Sequence, residues 1–414
     1  MEKKQSKFGL AGWIFVAMLA GALVGAMCTG EAAAAFTTKY IKPFGTIYVN
    51  LLKFMVVPVV LFSIVDGVIS LGDIKKVGAI GGKTMVYYML TTALAVVIGL
   101  GVALSFKSAG LFPVLETTDL AYEAKSSNIM DVIVNIFPSN WLSPLVNADM
   151  LQTIVIALFF GTAILMTGDK GGKVGEIFNA VYAVVMQIMM IVIHITPIGV
   201  FCLMCNVVAV NGPKVLGALG MAILCAYIGY LIHAIVVYGL SAKLLAKMSP
   251  IAFFKGMAPA MITAFTTTSS AATLPLTIEC CNKLGADKQV SSFVLPLGAT
   301  INMDGTAIYM GVTSVFIAFC YGVDLSIAQM VTIVLTATLA SIGTAGVSGA
   351  GMIMLAMVLQ SVGLPVEGIA LIAGVDKLFD MGRTCLNVTG DIACSVCVTK
   401  WERDKAEKSA GAAK

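Results

Sequence analysis

The chain has 414 residues, of which 59% are hydrophobic and only 12% are charged, and its net charge is +4. A soluble domain carries roughly twice that share of charged residues, so the composition excludes an ordinary soluble protein and predicts that membrane lipid surrounds much of the chain. The net charge is small for this length, which argues against nucleic acid as a partner.

Long apolar stretches in the N-terminal half predict membrane-spanning helices. They cover residues 8–29, 43–71, 84–106, 130–167, 175–211 and 215–242. The first stretch is longer than the apolar core of a signal peptide, and no convincing A-x-A cleavage motif follows it. We therefore predict that it remains in the protein as a span.

Lysines are concentrated in alternate connections between these spans. They are Lys3, Lys4, Lys7, Lys75, Lys76, Lys83, Lys170, Lys173, Lys243 and Lys247. The positive-inside rule assigns these connections to the cytoplasm. We therefore predict a multi-pass protein of the cell membrane with both termini in the cytoplasm, ending in a polar cytoplasmic tail over residues 401–414.

After residue 250 the apolar stretches are interrupted by polar and glycine-rich segments at 266–270, 302–306 and 341–351. Non-helical backbone at membrane depth is tolerated only where it is buried in protein or lines a cavity. Paired interruptions of this kind mark the binding sites of transporters. We therefore predict that residues 250–400 form a substrate- and ion-binding core and that residues 1–249 are mainly a scaffold.

Six polar side chains share one face of the last predicted helix. They are Asp376, Asp380, Arg383, Thr384, Asn387 and Asp391. Ionisable groups inside a span cost roughly a few kcal/mol each, so they face one another or an aqueous cavity and mark a pathway. A simpler alternative is a ladder of ion pairs that fixes helix packing, joining Asp380 to Arg383 and Asp376 to Lys377.

The ladder does not account for Asn387 and Asp391, which lie one helical turn apart with no cation nearby. The interruption at 302–306 supplies Asn302 and Asp304. Carboxylate and amide oxygens are the ligands that hard cations prefer, so these residues predict a site for a small metal ion.

Arg383 and Asp380 predict the class of substrate. The guanidinium of Arg383 is a planar, permanently charged fork that suits a carboxylate, and Asp380 can accept hydrogen bonds from an ammonium group. N–H groups at the broken helix ends favour further anionic groups. The pair suits a zwitterion that carries an extra carboxylate.

These motifs resemble the dicarboxylate/amino acid:cation symporters, a family that includes neuronal glutamate transporters and archaeal sodium-coupled aspartate transporters. The resemblance covers nearly the whole chain. Its motifs are Ser269-Ser270 before Thr273-Leu-Pro275, Asn302-Met-Asp-Gly-Thr306, Gly343-Thr-Ala-Gly-Val-Ser-Gly-Ala-Gly351, Asp380-Met-Gly-Arg-Thr384 and Asn387-Val-Thr-Gly-Asp391.

The resemblance implies an all-α polytopic membrane protein with eight transmembrane helices and two re-entrant helical hairpins, at about 250–284 and 325–360. It implies a homotrimer held together by the scaffold half, and alternating access in which the C-terminal core moves against that scaffold. The third span, near 84–106, and the sixth would belong to the moving part, and the second hairpin would be the extracellular gate.

The resemblance also implies the residues that bind substrate and ions. Asp380 would hold the ammonium of aspartate or glutamate, and Arg383 its side-chain carboxylate. The substrate site would be completed by Thr306, Thr384, Asn387 and backbone around Thr268, Ser270, Val347 and Gly351. Three sodium sites are implied: the first from Asp391 with carbonyls of Gly298, Asn302 and Asn387; the second from backbone at Thr300, Ser341, Ile342 and Thr344 beside Met303; the third from Tyr88, Thr91, Thr92, Asn302 and Asp304.

Three positions depart from the family pattern. Archaeal aspartate transporters carry an Arg where this chain has Thr268, and vertebrate members carry one where it has Met381. Lys377 is the nearby cation, and whether it compensates stays open. Ser348 replaces a usual Pro in the second hairpin, which relaxes the backbone there.

The third departure concerns the coupling ion. Vertebrate members have a proton-carrying Glu where this chain has Met310, and proton-coupled bacterial members often have a Glu where it has Ala271-Ala272. Neither proton carrier is present, which favours sodium. Arg383 favours acidic over neutral amino acids. Proton-coupled, C4-dicarboxylate and neutral amino-acid transport remain the alternatives within the family.

Two other classes of protein fit the sequence less well. A channel needs a continuous polar pore, whereas these charges cluster at one depth. An enzyme needs a nucleophile–base pair or a catalytic metal cluster, and the sequence has neither pattern. His194 and His233 are each isolated in an apolar stretch, so we assign both to packing.

Overall fold

The computed structural model describes residues 10–72, 79–112, 134, 137–341 and 350–412, and every regular element within these ranges is helical. The N-terminal half contains α1 (Leu10–Met27), α2 (Glu31–Phe36), α3 (Lys42–Gly72), α4 (Ala79–Ser108), α5 (Ser143–Asn147), α6 (Met150–Met166), α7 (Asp169–Asn211), α8 (Lys214–Ile232) and α9 (Gly239–Leu244). Two π-helical turns, Thr37–Ile41 and His233–Tyr238, join α2 to α3 and α8 to α9. The prediction of an all-helical chain is confirmed.

Five helical runs in the described ranges are long and apolar enough to cross a membrane: Glu31–Ile69, Ile80–Ser108, Asp169–Val210, Lys214–Leu244 and Lys288–Cys320. Helices of this length exceed the roughly 30 Å thickness of a bilayer core, at about 1.5 Å per residue. The chain is therefore a multi-pass membrane protein, as its composition predicts.

The fourth predicted span, 130–167, is shorter than its apolar pattern suggests. Its described part contains the short helix α5 and then the 17-residue helix α6. The backbone between them is left-handed at Ala148, with φ 56°. The side-chain oxygen of Asn140 accepts hydrogen bonds from the N–H groups of Leu142 at 2.8 Å and Ser143 at 3.0 Å. The left-handed residue Ala148 and the hydrogen bonds to Asn140 interrupt the helix before α6, because they satisfy backbone groups outside a continuous helix. The described part of this span is therefore α6.

The C-terminal half contains α10 (Pro250–Thr267), α11 (Ser270–Lys283), α12 (Lys288–Ile301), α13 (Asp304–Cys320), α14 (Ile327–Ala340), α15 (Ala350–Ser361), α16 (Ile369–Ala373) and α17 (Asp376–Ala412). Helix α10 packs beside α11, and α14 packs beside α15. The two pairs lie in the regions where the hairpins are expected, and residues 342–349, between α14 and α15, lie outside the described residues. Helix α17 continues through the predicted polar tail, supported by an ion pair one turn apart between Lys400 and Asp404 at 2.6 Å.

Helices α13 and α17 form the centre of the C-terminal half. Helix α17 packs against α10, α11, α12 and α13. All of α13 except Phe319 is buried, partly because α4 and α8 cover it. In the N-terminal half, α7 packs against α1 and α3. The two spans assigned by resemblance to the moving part, α4 and α8, thus lie against the buried helix α13.

Candidate substrate and ion site

Helix α17 presents its polar stripe to the protein interior. The six predicted side chains are at most 5% exposed: Asp376, Asp380, Arg383, Thr384, Asn387 and Asp391. They face one side because their spacing follows the helical repeat. The hairpin α10–α11, the break between α12 and α13, and the start of α15 contact this stripe.

The guanidinium of Arg383 is the centre of the first cluster. Its Nε donates to Oδ1 of Asp380 at 2.8 Å, and its two Nη atoms donate to the carboxylate of Asp376 at 3.3 and 3.4 Å. Its Cζ lies 4.8 Å from the ring centroid of Tyr309, in a cation–π contact. One pair of the expected ladder, Asp380 with Arg383, is present. The rest differs, because Asp376 also pairs with Arg383 and Nζ of Lys377 lies 3.8 Å from Oδ2 of Asp380.

Two glycines allow backbone to approach Arg383 closely. A Cβ atom on Gly351, in α15, would lie 1.9 Å from Nη1 of Arg383, and a Cβ on Gly305, in α13, would lie 2.3 Å from its carbonyl oxygen. Both distances are far below van der Waals contact. The start of α15 therefore lies against the guanidinium of Arg383 and α13 lies against its backbone. A larger residue at 351 would displace the guanidinium, and a larger residue at 305 would displace the backbone of α17.

The tip of the first hairpin meets the same cluster. Thr268 has a left-handed backbone, with φ 53°, and ends α10. The side chain of Ser269 begins α11 by accepting a hydrogen bond from the N–H of Ala272 at 3.2 Å. Nζ of Lys377 donates a hydrogen bond to Oγ1 of Thr268. Lys377 thus supplies a positive charge between the hairpin tip and Asp380, where the chain lacks the family's Arg.

Of the remaining predicted substrate residues, Thr384 contacts this cluster directly. Thr384 donates to Oδ1 of Asp380 at 3.3 Å. Ser270 is buried at the hairpin tip, and Thr306 is buried in the first turn of α13. Val347 lies outside the described residues.

A second cluster surrounds Asp391. The side-chain N–H group of Asn302 donates to Oδ1 of Asp391 at 3.0 Å and to the carbonyl of Asn387 at 3.2 Å. A Cβ on Gly298 would lie 2.3 Å from Oδ1 of Asp391. The buried Oδ1 of Asn302 has no hydrogen-bond partner within the described residues. Four residues of the predicted first sodium site therefore come together, and the side-chain oxygen of Asn302 beside them is an unsatisfied acceptor of the kind that suits a cation.

The second sodium set is only partly described. Ile342 and Thr344 lie outside the described residues. The side-chain hydroxyls of Thr300 and Ser341 donate to carbonyls three residues earlier in the chain, at 3.0 and 2.7 Å. In the described part of the chain, these hydroxyls do not hydrogen-bond to each other. The sulfur of Met303 accepts a hydrogen bond from Nδ2 of Asn387 at 3.2 Å.

In the third set, Thr92 contacts Asp304 directly. Oδ1 of Asp304 accepts from Thr92 at 2.6 Å. Tyr88 donates instead to the carbonyl of Val294 at 3.0 Å, and Thr91 donates to the carbonyl of Tyr88 at 3.2 Å. The hydroxyl groups of Tyr88 and Thr91 therefore donate to backbone carbonyls and not to Asp304.

Asp304 has two further neighbours that the sequence did not predict. Oδ2 accepts from the hydroxyl of Tyr238 at 2.7 Å and lies 3.1 Å from Nε2 of His233. The assignment of His233 to packing alone is therefore incomplete. The apolar residues around His233 in the sequence give no indication of this contact. The one available signal was that His233 is an ionisable residue within a span, which is a mark of function.

Sequence similarity to known proteins covers the whole of this site. The profile of the Sodium:dicarboxylate symporter family matches residues 10–401. A proton/sodium-glutamate symport protein of Bacillus caldotenax is 34% identical over 404 residues, covering 96% of this chain and 95% of that protein. Mouse excitatory amino acid transporter 3 is 34% identical over 446 residues, covering 95% and 85%. A C4-dicarboxylate transport protein of Bacillus subtilis is 33% identical over 373 residues, covering 88% of each chain.

Proposed function

Because this chain belongs to the sodium:dicarboxylate symporter family, we propose that it carries glutamate or aspartate across the membrane together with sodium. The family consists of secondary transporters, so the chain is not an enzyme. The observation that carries the substrate class is the buried Arg383 beside Asp380, with Nε and Oδ1 2.8 Å apart.

The geometry around Arg383 supports an acidic amino acid. Its two Nη donors hold Asp376 at 3.3 and 3.4 Å, which is longer than the roughly 2.7–2.9 Å of a strong charged hydrogen bond. A substrate carboxylate can replace Asp376 at this fork, and Asp380 can accept the ammonium. A C4-dicarboxylate would leave Asp380 without an ammonium partner, so we rank it second.

Sodium coupling is supported by the oxygen atoms around Asp391. Oδ1 of Asp391 and the carbonyl oxygen of Asn387 lie 3.0 and 3.2 Å from the same Nδ2 atom of Asn302, and the buried Oδ1 atom of Asn302 has no partner in the described ranges. We propose the first sodium site at this cluster, a second at the Thr300, Met303 and Ser341 set, and a third at Asp304. No described group of three or more His, Cys, Asp or Glu residues suits a transition metal.

We further propose eight spans, two re-entrant hairpins, cytoplasmic termini and a homotrimer formed through the scaffold. The hairpin helices α10, α11, α14 and α15 have 18, 14, 14 and 12 residues. At about 1.5 Å per residue they extend roughly 18–27 Å, less than the roughly 30 Å bilayer core. Helices of that length suit a re-entrant hairpin, which enters the membrane and leaves it on the same side. Residues 250–400 would then move with α4 and α8 against the other helices of 1–249.

Purified protein in lipid vesicles tests the proposed function. We expect an inward sodium gradient to drive uptake of radiolabelled glutamate and aspartate, and excess unlabelled succinate or serine to compete weakly. Uptake driven equally well by a proton gradient without sodium would contradict sodium coupling. Equal competition by succinate would instead identify a dicarboxylate transporter, and equal competition by serine a neutral amino-acid transporter.

Substitution of Gly298 by alanine should weaken sodium dependence. The new Cβ would lie 2.3 Å from Oδ1 of Asp391 and 2.4 Å from the hydroxyl of Tyr88. Relieving such a clash costs about 1–3 kcal/mol, so we expect the sodium concentration for half-maximal glutamate uptake to rise by about tenfold. The matched control is Gly217→Ala, because a Cβ there has no neighbour within 4 Å. Equal sodium titrations for the two variants would count against the Asp391 site.

A further inference from the structure

The carboxylate of Asp304 is fully buried and already hydrogen-bonded on both oxygens. Thr92 of α4 donates to Oδ1 at 2.6 Å. Tyr238 donates to Oδ2 at 2.7 Å, and Nε2 of His233 lies 3.1 Å from the same atom. Since an ionised carboxylate only accepts, Nε2 carries the hydrogen in this contact. Three protein donors from two neighbouring segments therefore converge on one buried anion.

The π-helical turn explains how two of these donors reach one oxygen. His233 and Tyr238 are its first and last residues. In an α-helix, residues five apart point about 140° away from each other, at 3.6 residues per turn. A π turn, with its i→i+5 hydrogen bond, brings them to one side. Their rings pack edge to face, with centroids 4.7 Å apart. This contact holds both side chains in position to donate to Asp304.

Asp391 offers a contrast within the same site. It accepts one hydrogen bond within the described residues, from Asn302 at 3.0 Å, and a buried carboxylate with so few donors needs a cation. Asp304 has three donors and does not need one for burial. Tyr238 and His233 occupy both lone pairs of Oδ2, and Thr92 occupies one of Oδ1. A sodium ion that binds both oxygens of Asp304 would therefore have to displace a donor.

Building on the proposed function, we propose that Tyr238 and His233 are positioning residues that compete with sodium for Asp304 and so weaken ion binding at the third site. They act through Asp304 and are not themselves sodium ligands. The chain would thus bind sodium tightly at Asp391 and weakly at Asp304. Removal of either donor should tighten sodium binding, which is the opposite of the effect of removing a ligand.

Tyr238→Phe is the direct test, because it removes the hydroxyl and keeps the ring against His233. Sodium binding is measured on the purified full-length protein without substrate, as the sodium dependence of Tm. A hydrogen bond to a charged group contributes enough that its loss should lower the half-saturating sodium concentration by about tenfold. The matched control is Tyr230→Phe, since the buried hydroxyl of Tyr230 makes no hydrogen bond within the described residues.

The direction of the shift decides the proposal. A higher half-saturating concentration in Tyr238→Phe would show that the hydroxyl is a ligand, and an unchanged one would show no competition; either result overturns the proposal. If Tyr238→Phe does not fold, His233→Leu should give the same downward shift. Glutamate uptake by the unmodified protein is a separate readout: its absence contradicts the proposed function, whereas the ratio between variant and unmodified sodium titrations tests only the competition.

Discussion

Replacement of Arg383 by alanine should remove high-affinity transport of glutamate and aspartate. The guanidinium is buried between Asp376, Asp380 and Tyr309. Loss of one partner of a buried, hydrogen-bonded charge pair weakens binding by about 2–5 kcal/mol. The apparent affinity for aspartate should therefore fall by at least about 30-fold. Radiolabelled uptake in vesicles, over a range of aspartate concentrations, measures the effect.

Two further variants separate recognition from stability. Alanine at 383 leaves the buried carboxylates of Asp376 and Asp380 without their cation, which destabilises the fold. Adding Asp376→Asn removes one of these charges, so the double variant should recover Tm without recovering aspartate affinity. Arg383→Lys keeps the charge but loses the planar fork. Its affinity for aspartate should lie between that of the unmodified protein and that of Arg383→Ala. An unchanged aspartate affinity in Arg383→Ala would refute the role of Arg383.

Asp391→Asn should produce the largest change in sodium dependence. The substitution keeps the shape of the side chain but removes a unit charge beside Asn302 and the carbonyl of Asn387. A tenfold change in affinity corresponds to about 1.4 kcal/mol. A unit charge next to a bound ion contributes several times that amount to the binding free energy. The sodium concentration for half-maximal uptake should therefore rise by at least about tenfold.

The control for this variant is the same chemical change at a distant site. The side chain of Asp324 is 92% exposed and pairs with Lys107, so Asp324→Asn should leave the sodium titration unchanged. Exposed pairs of this kind contribute little, roughly 0–1 kcal/mol. A sodium titration that is the same for Asp391→Asn and the unmodified protein would rule out Asp391 as a ligand.

The parts of the site that follow a helical repeat could be predicted from the sequence. The stripe from Asp376 to Asp391 follows one face of α17 because its residues are spaced by one turn. The interruption at Asn302 and Met303 was visible because polar residues break an apolar run, and both residues have non-helical backbones. Both features depend on local order along the chain.

The parts that depend on contacts between distant segments could not be predicted. Lys377 follows Asp376 directly, but neighbouring residues on a helix do not face each other. Arg383, two turns away, reaches Asp376 with its long side chain. The contact of Tyr238 with Asp304 spans 66 residues and depends on a π turn within a uniformly apolar segment, which no periodic pattern indicates.

The pairing of Arg383 with Asp376 has a consequence for the return step of the transport cycle. In the proposed alternating-access cycle, the empty carrier reorients after its cargo is released, and an isolated charge in the hydrocarbon layer costs at least about 2.5 kcal/mol. Asp376, Lys377, Asp380 and Arg383 comprise two negative and two positive groups joined by ion pairs. This substrate cluster is thus neutral without its cargo, and the buried charges left to balance in the empty carrier are the carboxylates of Asp304 and Asp391. In the proposed cycle, the ion sites and not the substrate cluster therefore set the electrostatic cost of returning the empty carrier.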